Sequence, residues 1–116
     1  MNTLIEVNTR TANDVMIFEF TGELDETNAD KTFTSIYNAI PDFTGKKVLF
    51  NLVGLKYLNS KSIGYIADIF QNIEDGNGKM VISNMTEEVK DTLELVGITT
   101  IIQIAETEDE GVAMMA

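Results

Sequence analysis

An asparagine–serine pair between a buried-looking strand and a helix is the part of the sequence best suited to chemistry. Asn59 is a strong N-cap candidate, because its side-chain oxygen can accept a hydrogen bond from one of the first helix N–H groups. Ser60 then becomes the first helical residue. There the positive end of the helix dipole favours a negative group such as phosphate by roughly 0.3–1 kcal/mol. A serine in this position can be a phosphorylation switch, although the same pair also fits a plain helix cap.

The rest of the chemical inventory is narrow. The 116 residues include no cysteine and no histidine. Thiol nucleophiles, disulfides, thiolate metal sites and a Ser–His–Asp triad are therefore excluded. The acidic run 106–110 lacks the glycine and the spacing of an EF-hand loop, so we read it as a solvated helix start. The sequence predicts no catalytic residue, no metal site and no cofactor.

The charge balance disfavours two classes of partner. With 19 acidic and 8 basic residues, the formal net charge is −11. Such a surface repels phosphate backbones and anionic lipid, so we expect neither nucleic-acid nor membrane binding. No run approaches 18 apolar residues, and residues 1–6 lack a basic segment followed by an apolar one. We therefore expect a cytoplasmic protein without a membrane span or a signal peptide.

The elements that would position Asn59 and Ser60 follow from periodicity. Strands are predicted over 4–8 and 15–21, joined by a turn, and over 46–52, 80–83 and 100–104. Four helices are predicted. The first spans 27–40, with Thr27 and Asp30 at its cap, and the second spans 60–75. The third begins at residue 86 and has Gly97 as its C-cap, and the fourth begins at residue 107. The inward-facing side chains expected on the second and third helices are Ile63, Ile66, Ala67, Phe70 and Ile73, then Val89, Leu93 and Val96.

The order of these elements predicts the fold. It reads β-β-α-β-α-β-α-β-α in one α/β domain that spans residues 1–116, with no linker or repeat. Alternating strands and helices require right-handed crossovers, and hence a mixed, largely parallel sheet packed with helices.

Two motifs within this order resemble the STAS domain, the family of bacterial anti-sigma factor antagonists, and the resemblance covers essentially the whole chain. Residues 22–25, Gly-Glu-Leu-Asp, match the family's loop of the same sequence. Residues 59–64, Asn-Ser-Lys-Ser-Ile-Gly, resemble the family pattern of Asp-Ser, a small residue, Gly, an aliphatic residue and Gly. Ser60 falls on the serine that a partner kinase phosphorylates in the family, and residues 93–98 resemble the leucine-rich end of its third helix.

Three residues depart from the family pattern. Asn59 replaces Asp and loses its charge, Lys61 replaces a small residue, and Ser62 replaces a glycine and adds a weaker second candidate for phosphorylation. The resemblance implies a set of partner-binding residues that we call the partner surface. They are Gly22, Asp25, Asn59, Ser60, Lys61, Ser62 and Gly64.

The resemblance also implies a function. In the family, an unphosphorylated domain binds an anti-sigma factor that is also a serine kinase of the histidine-kinase-like ATPase type, and the sigma factor is released. Phosphorylation of the serine dissociates the pair. For this chain we expect the same switch at Ser60, with little refolding and a large loss of affinity, in a monomer or weak dimer. A phosphate adds roughly −1.5 to −2 charges, which an acidic interface would repel.

Two alternatives stay open at this point. The chain could be a STAS-like scaffold or accessory subunit of a signalling or transport complex that is no longer phosphorylated. It could also be a small enzyme that uses paired carboxylates near Ser60, although the inventory for general acid–base chemistry is thin. Asp25 itself could position the partner kinase or its nucleotide, or simply be a turn residue before the first helix.

Overall fold

A computed structural model describes residues 4–116 as five strands, four α-helices and one 3-10 turn. In chain order the elements are β1 (Ile5–Ala12), β2 (Val15–Leu24), α1 (Ala29–Ala39), β3 (Lys47–Leu58), α2 (Ser60–Asp75), β4 (Lys79–Ser83), α3 (Glu87–Leu95), the 3-10 turn (Ile98–Thr100), β5 (Gln103–Ala105) and α4 (Glu108–Met114). The predicted order of strands and helices is confirmed.

The five strands form one sheet in the order β1-β2-β3-β4-β5. β1 is antiparallel to β2, and every other neighbouring pair is parallel. Asn13 and Asp14 make the two-residue turn of the hairpin, and both have positive φ, as the tight turns favoured by hairpins require. The predicted mixed, largely parallel sheet is therefore confirmed.

The sheet is covered on both faces, as the apolar strands predict. Alternate residues of β2 point to opposite sides, so that Phe18 and Phe20 join the larger core cluster with residues of α1, α2 and α3. Val15 and Ile17 point the other way, into a smaller cluster that Met115 covers at the end of α4. The rings of Phe20 and Phe50 lie 5.1 Å apart at the centre of the larger cluster.

β3 is longer than predicted, because residues 53–58 continue the strand instead of forming a loop. They pair with the last residues of β2 across two irregularities in register. Gly54 permits this approach, since a Cβ there would lie 2.8 Å from the Thr21 hydroxyl oxygen. The consequence is that β2 and β3 end side by side at Leu24 and Leu58.

The segment after α3 differs from the prediction. Residues 98–100 form a 3-10 turn, and the last strand is reduced to 103–105. Gly97 follows α3 with φ +82, which fits its predicted role at the helix C-terminus. The tight turn then inserts Ile98 and Ile102 into the core. Val96 was predicted to face inward, and this is wrong, because the residue is 54% exposed.

The buried stripe of α2 is also rotated from the predicted one. Both ends of the helix, at Ser60 and Asp75, agree with the prediction. Its buried side chains are Ser62, Ile66, Ile69 and Ile73, whereas Ile63, Ala67 and Phe70 are only partly buried. A serine has therefore taken a core position that periodicity gives to an apolar residue.

Candidate functional site

The two motifs come together at the edge of the sheet where the parallel strands end. Leu24 and Leu58 pair in register, and the backbone N–H of Asn59 donates to the Leu24 carbonyl at 3.0 Å. The Gly-Glu-Leu-Asp segment and the start of α2 are thus adjacent, although more than 30 residues separate them in sequence.

Asn59 is the N-cap of α2, as predicted. Its backbone is extended, with φ −88° and ψ 173°, and its Oδ1 accepts from the Ser62 N–H at 3.0 Å. The same oxygen accepts from the Ser62 hydroxyl at 2.7 Å. This second bond is what allows the Ser62 side chain to be buried, because a buried hydroxyl is costly without a partner.

Ser62 consequently differs from what the resemblance implied. Its exposed fraction is 0%, so the side chain has no surface to offer a partner or a kinase. It belongs to the cap of α2 and not to the exposed part of the partner surface.

Ser60 is exposed at the first position of the 16-residue helix α2. The predicted placement of its hydroxyl, outside the core and at a helix N-terminus, is confirmed. The first turn of α2 contains no acidic residue, so no carboxylate of that turn competes for the positive end of the dipole. The start of α2 can therefore accommodate an added negative group on Ser60.

Lys61 is bonded to α1. Its ammonium lies 2.8 Å from Asp30 Oδ1, and Tyr65, one turn further along α2, donates its hydroxyl to the same carboxylate oxygen at 2.6 Å. The Lys61 bond is the main cause that lowers the pKa of Asp30 from its ordinary value, followed by the Tyr65 bond. The Tyr65 ring stacks on Phe33 with centroids 4.8 Å apart. The first turn of α2 is therefore tied to α1.

Sequence reasoning missed Asp30 and Tyr65 as parts of this site. The one available signal was the spacing of Lys61 and Tyr65, which puts them on one face of α2. The predicted role of Asp30 as a cap with Thr27 is wrong. The N-cap of α1 is Asn28, and it makes no side-chain cap bond.

The two glycines of the partner surface have different roles. Gly22 has φ +119, and a Cβ on it would lie 2.3 Å from the Leu4 carbonyl oxygen, so this position needs glycine for the backbone. Gly64 is exposed, and nothing lies within 4 Å of the Cβ it would carry. Packing within the chain therefore does not require a glycine at position 64. Gly64 lies one turn from Ser60, and it leaves the helix surface beside that serine bare.

Asp25 is held within its own turn. Its Oδ1 accepts from the Thr27 N–H at 2.9 Å and from the Thr27 hydroxyl at 2.6 Å, and its N–H donates to Asn28 Oδ1 at 3.0 Å. These bonds fit a turn residue that leads into α1. They also hold the Asp25 carboxylate in a defined position next to the start of α2.

The resolved carboxyl pKa shifts of Asp30, Asp42 and Glu108 are all lowerings. A general acid of this type needs a raised pKa, so none of these three carboxylates is suited to that role. Within residues 4–116, no three Asp or Glu side chains are grouped closely enough to hold a metal ion. None of the helices described for residues 4–116 is long and apolar enough to cross a membrane.

Comparison with known proteins identifies relatives of the whole fold. The family model of the STAS domain matches residues 6–111. A STAS domain protein of Planctomyces limnophilus, whose structure is described as an anti-sigma factor antagonist, superposes with a TM-score of 0.85 at 20% identity, covering 95% of this chain and 97% of the other.

The anti-sigma factor antagonist SpoIIAA is similar as well. Its unphosphorylated form has a TM-score of 0.76 at 20% identity, covering 94% of this chain and 95% of the other. The phosphorylated form of the Bacillus protein has a TM-score of 0.70 at 18% identity, covering 96% and 100%. At these identities the likeness shows a shared fold.

Proposed function

We propose, from the premise that this chain belongs to the STAS domain family, that it is a cytoplasmic anti-sigma factor antagonist switched off by phosphorylation of Ser60. Its partner is an anti-sigma factor that is also a serine kinase of the histidine-kinase-like ATPase type. Binding of that partner by the unphosphorylated protein, a monomer or weak dimer, frees a sigma factor.

The observation that carries the proposal is the exposed Ser60 at the start of α2, beside the Gly-Glu-Leu-Asp segment. Asn59 joins the Gly-Glu-Leu-Asp segment to the start of α2, since its backbone N–H donates to the Leu24 carbonyl and its side chain caps α2. The bare helix surface at Gly64 gives a second protein close access to the Ser60 hydroxyl. The proposed partner surface therefore consists of the exposed Ser60, Lys61 and Gly64 and the half-buried Asp25 and Asn59, with Gly22 shaping the backbone.

The same geometry explains why phosphorylation would act on affinity and not on the fold. A phosphate on Ser60 would lie at the positive end of the α2 dipole, in a first turn without acidic residues, so its own helix tolerates it. The group would instead add roughly two negative charges to a surface that must be desolvated when the partner docks. The loss of affinity follows from that added charge.

The experiment that tests the phosphorylation step is intact-mass measurement. The protein is incubated with ATP and a histidine-kinase-like serine kinase from its own genome, with Ser60→Ala as the matched control. We expect the mass of one phosphate on the wild type and none on Ser60→Ala. An unchanged wild-type mass with every such kinase would favour the unphosphorylated scaffold, and equal phosphorylation of Ser60→Ala would place the switch elsewhere.

A further inference from the structure

A cavity of about 400 Å³ lies between the edge strand β1 and helix α1, and none of its lining residues belongs to α2. Its apolar wall is formed by Ile5 and Val7 of β1, with Phe18 of β2 and Ile36 of α1 as a buried floor. The volume is at the small end of the range for small-molecule sites. The floor is sealed by the core, so a ligand would enter from the surface between the strand and the helix.

The wall that α1 forms is polar and carries one positive charge. Lys31, Thr32 and Ser35 line it, and Thr9 adds a hydroxyl from the β1 side. The side-chain ion pairs described in residues 4–116 use Arg10, Lys61 and Lys90 as their cations, so Lys31 has no counter-ion there. An unpaired cation beside hydroxyl donors is an attractive position for an anion, the more so in a protein with a net charge of −11.

We propose that the cavity between β1 and α1 binds a small amphipathic anion, an alkyl carboxylate of about eight carbons in length. The carboxylate lies at Lys31, where the Thr32 and Ser35 hydroxyls can donate to it. The alkyl chain lies along Ile5, Val7 and Ile36. Each buried methylene group strengthens binding about fourfold, so the length of the chain matters as much as the charge.

The position of the cavity gives such a ligand a route to the partner surface. Asn28 lines the cavity, and its side chain bonds both the Glu23 carbonyl and the Asp25 N–H. A ligand in the cavity would therefore contact the same turn that holds Asp25. The binding proposal itself does not depend on the proposed function, because it concerns the isolated protein.

Sodium octanoate is the probe for the test, titrated below its micelle-forming range and followed by calorimetry and by amide NMR shifts. Acetate lacks the chain and 1-octanol lacks the charge. We expect saturable binding of octanoate, much weaker binding of both controls, and shifts centred on Val7, Thr9 and Thr32. Lys31→Met should weaken binding about tenfold or more, because it removes a charge-assisted contact. Lys56→Met, at an exposed lysine elsewhere, should leave it unchanged.

Several outcomes would overturn the proposal. Absence of saturable binding, or shifts centred away from the cavity, would do so directly. Equal binding of octanoate and octanol would remove the role of Lys31, and equal binding of octanoate and acetate would remove the role of the apolar wall. If Lys31→Met and Lys56→Met weakened octanoate binding equally, the weakening would come from the change in net charge and not from a contact with Lys31. None of these outcomes bears on Ser60, so failure here is separate from failure of the proposed function.

Discussion

Lys61 and Asp30 join the first turns of α2 and α1, with the ammonium 2.8 Å from a carboxylate oxygen. Both side chains are exposed, so the pair adds little to overall stability. Its effect is geometric, because it fixes Lys61 toward α1 and leaves Ser60 and Gly64 as the open strip of the helix. Lys61, which follows Ser60 in the sequence, is therefore already paired with Asp30 in the unphosphorylated protein.

The first prediction concerns the pH dependence of this pair. The pKa of Asp30 is lowered in the folded protein, first by the Lys61 bond and then by the Tyr65 bond. A carboxylate with a lowered folded-state pKa stabilises the fold above its unfolded value of 3.8, and that contribution disappears as the pH falls through the folded-state value. Carboxyl NMR titration should show a low Asp30 pKa in the wild type.

The matched variants for that titration are Lys61→Met and Tyr65→Phe. Each should raise the Asp30 pKa toward its ordinary value, with the larger rise in Lys61→Met. Lys56→Met should leave it unchanged. An Asp30 pKa that does not respond to Lys61→Met would show that the pair is not formed in solution.

Removal of the α2 N-cap should lower the free energy of unfolding by more than removal of an ordinary N-cap does. Asn59→Ala deletes a cap bond, which is typically a loss of about 1 kcal/mol. It also leaves the buried Ser62 hydroxyl without its partner, a further loss of about 1–3 kcal/mol. The free energy of unfolding, measured with urea, should therefore fall by about 2 kcal/mol or more. Asn59→Asp should keep most of the stability, because it retains the acceptor.

The control for the cap is Asn38→Ala on the exposed surface of α1, which should change stability by less than about 0.5 kcal/mol. The double variant Asn59→Ala with Ser62→Ala should recover part of the loss, since no buried hydroxyl remains. If Asn59→Ala proves as mild as Asn38→Ala, the described cap does not hold Ser62.

Substitution of Gly64 by alanine should not destabilise the folded protein. Alanine is favoured over glycine within a helix, and the added Cβ meets nothing within 4 Å, so Gly64→Ala should stabilise the protein by about 0.5–1 kcal/mol. In Gly111→Ala the new Cβ would lie 2.6 Å from Leu49 Cδ1, and overpacking should cost about 1–3 kcal/mol. Thermal unfolding of both variants measures the difference. Loss of stability in Gly64→Ala would contradict the open surface beside Ser60.

The start of α4 depends on a bond network across the sheet. Glu108 bonds Arg10 of β1, and Asn51 of β3 donates to Glu108 Oε1 at 3.1 Å. The Arg10 bond is the main cause that lowers the pKa of Glu108 from its ordinary value. Glu108→Gln should therefore speed hydrogen exchange in α4 at neutral pH. The difference should vanish in acid, as the pH falls through the lowered pKa of Glu108.

Glu110→Gln is the matched control, because Glu110 is exposed on the same short helix. It should leave exchange in α4 close to the wild-type rate. Equal exchange in wild type and Glu108→Gln at neutral pH would show that the network does not anchor the helix.

The sequence predicted the elements of the site better than their connections. The start of α2 at Ser60 follows from local cap chemistry, and so does the exposure of that serine. The Lys61–Asp30 bond joins residues that are 31 positions apart, which local patterns do not encode. Ser62 was missed for a different reason. A polar residue enters the core there only because the Asn59 side chain satisfies its hydroxyl.

The bounds of β3 and β5 also could not be predicted from local sequence patterns, although the strands themselves could. An apolar run identified β3, but its last six residues depend on pairing with β2, which Gly54 permits through close approach. The β-branched run 98–102 has strand propensity, yet Gly97 turns it into a tight bend that buries two isoleucines. Propensity alone does not decide between these outcomes.

The central claim is that one added negative charge at Ser60 abolishes partner binding without unfolding the protein. The direct measurement is capture from native cell extract, with bound proteins identified by mass spectrometry, by wild type, Ser60→Ala and Ser60→Asp. Asn38→Asp adds the same charge elsewhere as a control. We expect that every form except Ser60→Asp retains an anti-sigma factor, and that Ser60→Asp keeps the wild-type unfolding temperature. Equal capture by wild type and Ser60→Asp would contradict the central claim.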